Sequence, residues 1–359
     1  MAQSPSTNIY EILRSLGIVK HKKRQEFICD IVEGLIESRS VHFSQIAAKI
    51  KGKAKVASIE RRIQDFFQKV SFDYLQLGVF FMGFVPHQRV VVSIDRTEWD
   101  FGGTQINILC AVVSIGKMAI PIYFEMLDNN SGNSHTNDRI ALLKSIIAII
   151  GTDRIALLVM DREFVGNKWW AWLQKQGINF CVRVPASHKI TLIDGSTATA
   201  EELLQDKKSY YAENVVVDNV RVNLSLSYGK DQKLLFLVGT LPYRQLQESY
   251  QRRWAIETFF QALKDRGFHI ESSCLQSIEK YRKLFAIVAI AYTLCWATGI
   301  EDGKCNPVKR KKHGYPQYSV FRRGLNLIRE FYKQKMIEPF TKAIQLAIQR
   351  ILINLKTIG

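Results

Sequence analysis

Residues 89–95 read Arg-Val-Val-Val-Ser-Ile-Asp, and residues 155–161 read Ile-Ala-Leu-Leu-Val-Met-Asp. Each stretch is a short and nearly continuous apolar run, which is typical of a strand buried on both faces of a sheet. Each run ends in an aspartate that is followed by an arginine. An aspartate just past the carboxyl end of a buried strand lies where open α/β sheets place their ligands. Taken singly, Asp95 or Asp161 is better explained as a turn or helix-capping residue, so the surrounding sequence has to decide.

Strand and helix patterns alternate around these two stretches, which predicts an α/β fold. Strands are predicted at 89–95, 105–113, 118–127, 155–160 and 178–184, and helices at 137–150, with Thr136 as the N-cap, and at 164–176. Residues 187–240 form a β-rich segment in which short strand patterns are separated by turn residues at 194–195, 218–219 and 229–231.

A third stretch, residues 250–264, reads Tyr-Gln-Arg-Arg-Trp-Ala-Ile-Glu-Thr-Phe-Phe-Gln-Ala-Leu-Lys. On one continuous helix, Tyr250, Arg253, Glu257 and Lys264 would lie within about 60° of one another. A carboxylate can bind a divalent metal ion, and Arg and Lys can bind phosphate oxygens. The stripe alone is equally well explained as a solvated, charged helix face. Combined with two Asp-terminated strands, it predicts a site for phosphodiester chemistry with two cations about 3.5–4 Å apart.

These three stretches together resemble the DDE transposases of bacterial insertion sequences, of the YREK type found in the insertion-sequence-four family. That signature is Tyr, two residues, Arg, three residues, Glu, six residues and Lys, and residues 250–264 match it without a gap. Asp95 and Asp161 match the first and second aspartates of the family. The resemblance spans roughly residues 35–330, and no matched position departs from the pattern.

The resemblance implies an RNase H-like catalytic core, which the family interrupts with a β-rich insertion before the catalytic glutamate. It implies that Asp95, Asp161 and Glu257 are the catalytic residues and bind Mg²⁺ or Mn²⁺, as two ions. It also implies that Tyr250, Arg253 and Lys264 bind DNA phosphates beside the cut.

The function implied is a DNA transposase that cuts insertion-sequence ends and joins them to target DNA by metal-dependent hydrolysis and transesterification. Its expected partners are double-stranded DNA and a second protomer, as a homodimer in a synaptic complex, in the bacterial cytoplasm and associated with the nucleoid. Two alternatives remain open, namely a structure-specific nuclease of the same fold and a non-catalytic DNA-binding protein. We expect no nucleotide cofactor, because the sequence contains no Walker or Rossmann motif.

The composition is that of a folded, strongly basic chain of 359 residues with a net charge of +17. The length allows about two domains with ample core. Residues 1–88 hold 13 Lys and Arg against 8 Asp and Glu, residues 301–359 hold 13 against 4, and the long middle is nearly neutral. A basic surplus at both ends suits a polyanion that is gripped by the flanks. We expect a helical DNA-binding domain over 1–85, the catalytic domain over 86–300 with its insertion at about 187–240, and a basic helical region over 301–359.

The helical amino-terminal part has the outline of a helix-turn-helix. Residues 43–50 show helical apolar spacing, a basic turn with Gly52 follows, and a second helix begins near Ser58 as a possible N-cap. An ordinary helical bundle with a polar loop explains the pattern equally well. The residues predicted to contact DNA are Arg61, Arg62, Lys51, Lys53 and Lys55 here, and Arg322 and Arg323 in the carboxyl-terminal region.

The remaining features bear on the cellular compartment. Six scattered cysteines show neither zinc-site spacing nor a disulfide framework, which fits a reducing cytoplasm. Residues 284–300 contain no charge, but this run is short for a membrane span of about 20 residues. We interpret it as a core helix behind the metal site and expect no membrane association. A last helix, at about 335–356, is expected to serve packing or dimerisation.

Overall fold

The computed structural model describes residues 17–334, except residues 87, 102–103, 117, 128–131, 206, 230–231, 308, 313 and 315. The predicted last helix at 335–356 therefore lies outside the described residues. Four helices come first: α1 (Lys22–Ser38), α2 (Phe43–Ala47), α3 (Val56–Lys69) and α4 (Tyr74–Met82). Helix α3 starts directly after Lys55, so the predicted N-cap at Ser58 is wrong.

The sheet is built from ten strands. They are β1 (Val90–Phe101), β2 (Thr104–Ile115), β3 (Met118–Met126), β4 (Ile155–Met160), β5 (Phe180–Arg183), β6 (Ile190–Thr191), β7 (Thr197–Ala198), β8 (Ser209–Val217), β9 (Val220–Tyr228) and β10 (Leu234–Gly239). Their order across the sheet is β3-β2-β1-β4-β5-β10-β9-β8-β6-β7. The chain is thus a mixed α/β protein with one large sheet, as the alternation of patterns predicted.

The predicted β-rich segment continues the same sheet. Strand β10 pairs antiparallel with β5, from Leu237 opposite Arg183 to Gly239 opposite Cys181. Between β8 and β9, Asp218 and Asn219 both adopt positive φ, as the predicted two-residue turn requires. Because the hydrogen-bond ladder is continuous, the segment is joined to the strands that carry the two aspartates.

Further helices pack against the sheet and against one another. They are α5 (Thr136–Ile150), α6 (Asn167–Lys175), α7 (Ala200–Leu204), α8 (Tyr243–Gln251), α9 (Trp254–Leu263), α10 (Ile278–Cys305) and α11 (Val320–Gln334). His135, and not the predicted Thr136, is the N-cap of α5, where it forms a capping box with Asp138. Helix α6 starts three residues later than predicted, because a 3₁₀ turn at Arg162–Phe164 separates it from β4.

Helix α10 is the central element of the core. It is long and apolar enough to cross a membrane, yet 89% of its most apolar window is buried inside the protein. Its neighbours are α1, α3, α4, β3, α9 and α11. This agrees with the prediction that residues 284–300 form a core helix.

Candidate active site

The two aspartates lie side by side because their strands are parallel neighbours. The β1–β4 register places Ile94 opposite Met160, so the next residues, Asp95 and Asp161, leave the shared ladder together. Strand β1 does not end at Asp95 as predicted. It continues to Phe101, because residues beyond Asp95 still pair with β2. Both carboxylates thus lie at the edge of the β1–β4 pairing.

The signature segment forms two helices, and the prediction of one continuous helix is wrong. Helix α8 ends at Gln251 and α9 begins at Trp254. Arg252 caps the end of α8, and its carbonyl oxygen accepts a hydrogen bond from Ser114 Oγ of β2 at 3.1 Å. This break lets α8 pack on one part of the sheet and α9 on another. Tyr250 therefore lies in the last turn of the first helix, and Glu257 lies in the first turn of the second.

Arg253, between the two helices, binds all three predicted catalytic carboxylates. Its Nη1 lies 3.0 Å from Asp95 Oδ2 and 3.9 Å from Asp161 Oδ2, and its Nη2 lies 2.5 Å from Glu257 Oε1. Its Nε donates to the hydroxyl of Tyr250 at 3.1 Å, and that hydroxyl donates to Asp161 Oδ1 at 3.0 Å. Arg253 as a whole is only 8% exposed, so these contacts form in a largely desolvated place.

The electrostatics follow from this burial. Desolvation raises the pKa of Asp95 to about 6, although Arg253 and the backbone N–H of Arg96 act in the opposite direction. Burial alone would lower the pKa of Arg253, but Tyr250 and the three carboxylates raise it above its ordinary value. Burial raises the pKa of the Tyr250 hydroxyl, as it does for Asp95, and this keeps the hydroxyl protonated and able to donate a hydrogen bond. A buried cation is therefore what this set of carboxylates favours.

The donor chemistry of the site fits a divalent cation. Three carboxylates that converge on one positive charge are the ligands that Mg²⁺ and Mn²⁺ prefer. In the arrangement described, however, Arg253 takes that position, and among the described residues no group of three acidic, His or Cys side chains stands ready to hold a metal ion. Metal binding at these carboxylates therefore requires the guanidinium to move aside.

Lys264, the last residue of the signature, lies away from the three carboxylates. Its ammonium pairs with Glu271 at 2.6 Å and lies 5.1 Å from the centre of the Trp99 ring. It also approaches the carbonyl oxygen of Glu98 at 3.5 Å. It is anchored to the extension of β1 beyond Asp95, where it is partly accessible.

The family model of the transposase DDE domain matches residues 86–294, which is more than half of the chain. The chain belongs to this family. The family assigns it a transposase function, with DNA as the substrate, and implies metal-dependent nuclease chemistry. A cryo-EM structure of a piggyBac transposase synaptic complex with hairpin DNA is similar over 98% of this chain and 83% of that chain, with a TM-score of 0.48 and 11% sequence identity. No curated protein matches the chain.

The structure of this transposase adds supporting residues that the sequence analysis missed. Arg96 Nε pairs with Glu163 Oε2 at 3.0 Å, which ties the residue after Asp95 to the turn after Asp161. Ser134 Oγ donates to the other oxygen of Glu163 at 3.0 Å. Arg139 of α5, only 4% exposed, donates to the backbone carbonyl of Glu163 and to Ser134. The Asp-Arg and Asp-Arg-Glu sequences were the available signal, but only the strand register shows that they face each other.

The basic residues predicted to contact DNA near α3 are all exposed, but they differ in the contacts that they already make within the protein. Lys53, Lys55 and Arg61 are exposed at the start of α3. Lys51 and Arg62 are also exposed, but each lies over an aromatic ring, Lys51 over Tyr332 at 5.5 Å and Arg62 over Phe27 at 4.6 Å.

The two carboxyl-terminal arginines differ in the same way. Arg323 forms an ion pair with Asp302, in which both side chains are nearly buried, so its contacts favour a structural role over the predicted DNA contact. Arg322 donates to the carbonyl oxygen of Arg266 at 2.5 Å and remains partly exposed.

Proposed function

We propose that this chain is a metal-dependent DNA transposase of the YREK type, built on an RNase H-like core. Asp95, Asp161 and Glu257 are its catalytic residues and metal ligands. The observation that carries the proposal is the convergence of these carboxylates, from two strands and one helix, on the single buried charge of Arg253. A purely structural role would not require three partly buried carboxylates beside a DNA substrate, because like charges repel both one another and the polyanion.

Each residue of the site would have its own role in binding metal or DNA. Two Mg²⁺ or Mn²⁺ ions bound by the carboxylates would supply an activated attacking oxygen and a stabilised leaving oxygen. Arg253, once released from the carboxylates, is placed to hold a phosphate beside the cut through its forked N–H groups. The Tyr250 hydroxyl, which donates to Asp161 Oδ1 in this arrangement, orients that carboxylate. Lys264 holds DNA at the outer edge of the site.

The flanking parts would provide DNA binding and assembly. Residues 1–85 would recognise transposon ends through the exposed basic residues around α3, residues 86–300 would form the catalytic domain, and residues 301–359 would add a basic helical region. We propose two protomers and two DNA ends in a synaptic complex, after which the freed 3′-hydroxyl attacks target DNA.

The test is cleavage of a plasmid that carries both DNA segments flanking the gene, with Mg²⁺ or Mn²⁺. Asp95→Asn and Glu257→Gln should abolish cleavage, a loss of at least about 10³-fold, while binding to the same DNA persists. Glu98→Gln, an exposed carboxylate close by, is the matched control and should retain cleavage.

Three outcomes would count against the proposal. Cleavage that survives in Asp95→Asn would remove the carboxylate from the mechanism. Cuts without any joined product would favour a nuclease of the same fold. Tight binding with no cuts under either metal would favour a non-catalytic DNA-binding protein.

A further inference from the structure

A cleft of about 240 Å³ opens beside the proposed active site, between α9 and the start of α11. We name it the α9–α11 cleft. Thr258 and Ala262 of α9 line one side, and Arg266, Tyr318, Phe321 and Arg322 are among the other lining residues. Its volume is below the roughly 300–1,000 Å³ of sites that hold drug-sized ligands. The cleft therefore has room for no more than one nucleotide.

The floor of the cleft is buried and aromatic, and its rim is basic. Tyr292 and Phe321 are buried and stack with ring centres 5.2 Å apart. Arg266 is exposed at the rim, and Arg322 uses one of its N–H groups on the Arg266 carbonyl oxygen, which leaves further donors. None of the described residues that line the cleft is acidic. The cleft thus offers positive charge without a carboxylate to neutralise it.

An exposed aromatic ring completes the rim. Tyr318 is 47% exposed at the mouth of the cleft. A ring at the mouth of a basic cleft can stack on a nucleobase, and such stacking tolerates any sequence because every base has a π face. Phosphate contacts and one stacking platform are together the chemistry that binds an unpaired nucleotide.

The position of the cleft links it to the catalytic carboxylates. Thr258 follows Glu257 directly on α9, about 100° around the helix, and Ala262 lies one turn further along. One helix therefore carries a catalytic carboxylate on one side and a wall of the cleft on the next. A DNA strand that crosses the carboxylates has only the width of α9 to pass before it reaches the cleft.

We propose that the α9–α11 cleft binds one unpaired nucleotide of the DNA strand that occupies the active site. Arg266 and Arg322 bind its phosphate, and Tyr318 stacks on its base. The inference rests on the proposed function, since it needs DNA at the carboxylates. It adds a site that includes residues 317–322, which lie beyond the matched domain at 86–294.

The experiment measures the affinity of the full chain for two fluorescent DNA probes, a blunt duplex and the same duplex with a short single-stranded extension. Tyr318→Ala should weaken binding of the extended probe about tenfold and leave the blunt duplex nearly unchanged, while Tyr318→Phe should bind both like the wild type. Arg266→Gln should weaken the extended probe and reduce its salt dependence by about one unit of slope. Arg221→Gln, which removes an exposed charge on β9, is the matched control. It should leave the difference in affinity and the difference in salt dependence between the two probes as in the wild type.

A second readout locates the base directly. Extended probes with 5-iododeoxyuridine at successive unpaired positions should photo-crosslink to the peptide that contains Tyr318 from one position only. Competition with dTMP and with inorganic phosphate distinguishes a nucleotide site from a general anion site. Displacement of the extended probe by phosphate as effectively as by dTMP would overturn the role of Tyr318.

The proposal is wrong if Tyr318→Ala and Arg266→Gln bind both probes like the wild type, or if Arg221→Gln loses as much as Arg266→Gln. These failures are distinguishable from failure of the proposed function. Metal-dependent cleavage that still requires Asp95, combined with an inert cleft, would leave the transposase proposal standing and remove this one alone.

Discussion

At the scale of single residues, Arg253 holds together three carboxylates that would otherwise repel one another. It is nearly buried, and its contacts reach Asp95 within β1, Asp161 just after β4 and Glu257 on α9. If the three carboxylates bind a divalent cation as proposed, that cation and this guanidinium would compete for the same ligands. Since anything that binds only the folded protein stabilises it, the two cations should substitute for each other in stability.

Arg253→Ala should consequently make stability depend on metal. In EDTA, loss of the guanidinium leaves three partly buried carboxylates without the cation they share and should lower the free energy of unfolding by about 3–5 kcal/mol. Mn²⁺ should restore more stability in Arg253→Ala than it adds to the wild type, because the competing charge is gone. Thermal unfolding with EDTA and with Mn²⁺ measures both effects.

Arg252→Ala is the matched control, because Arg252 is the adjacent arginine and is exposed. It should change stability by no more than about 0.5 kcal/mol and should leave the response to Mn²⁺ as in the wild type. Equal behaviour of the two variants would contradict the bridging role of Arg253. Arg253→Lys should fall between them, since it keeps the charge but loses the fork.

Sequence spacing could predict which residues share the site but not how they meet. The offsets among Tyr250, Arg253 and Glu257 suggested a stripe on one helix, whereas α8 ends at Gln251 and α9 begins at Trp254. Helical periodicity does not show such a break, because Arg252 and Arg253 keep helical backbone angles. The break follows from packing each helix on a different part of the sheet, which is a tertiary effect.

At the scale of elements, an ion pair links β1, which carries Asp95, to the turn after β4, which begins at Asp161. Arg96 on β1 and Glu163 in the 3₁₀ turn after β4 are 12% and 14% exposed, and Arg139 of α5 holds the backbone of that turn. We propose that these residues act by positioning Asp95 and Asp161, without contacting DNA themselves.

Arg96→Ala or Glu163→Ala should therefore lower the cleavage rate by about 10- to 100-fold, because small misplacements of catalytic groups are costly. The affinity for DNA should stay within about threefold of the wild type, and Arg96→Lys should recover part of the rate. In the double variant the losses should not add, with a coupling of about 0.5–3 kcal/mol. Single-turnover cleavage and DNA titration of the wild type, the two alanine variants and the double variant give the double-mutant cycle.

Glu98→Ala provides the comparison, since Glu98 also contacts Arg96 but is 44% exposed. It should change the rate by less than about threefold. Additive losses in the Arg96 and Glu163 variants, or an equal loss in Glu98→Ala, would show that the pair does not set the geometry.

At the scale of the whole molecule, the hydrophobic pattern predicted most of the individual elements. It did not predict how those elements pair and pack with one another. The strands β2, β3 and β4 match their predicted ranges to within two residues at either end. The union of the β-rich segment with the main sheet through β5 and β10 had no signal in the sequence, because register is a long-range property. The sequence also did not predict that α11 packs on α10, although two glycines make that close packing possible.

Those glycines let the two helices approach closely and so fix the carboxyl-terminal region on the core. A Cβ at Gly324 would lie 1.7 Å from the carbonyl oxygen of Cys295, and a Cβ at Gly299 would lie 2.0 Å from that of Val320. Both obstacles are backbone atoms, which cannot rotate away. Any side chain at either position must separate the helices, and because Phe321 and Arg322 lie on α11, it must also distort the α9–α11 cleft.

Gly324→Ala should therefore lower the free energy of unfolding by about 1–3 kcal/mol through overpacking. It should also weaken binding of the probe with an unpaired extension more than binding of the blunt duplex.

Gly303→Ala, on the partner helix α10, is the control, because a Cβ there meets nothing within 4 Å and φ is not positive. It should raise stability by about 0.5–1 kcal/mol through helix propensity. Urea unfolding of both variants measures the first effect and probe titration the second. If Gly324→Ala were as stable as Gly303→Ala, the two helices would not be in the close contact that holds the carboxyl-terminal region against the catalytic domain.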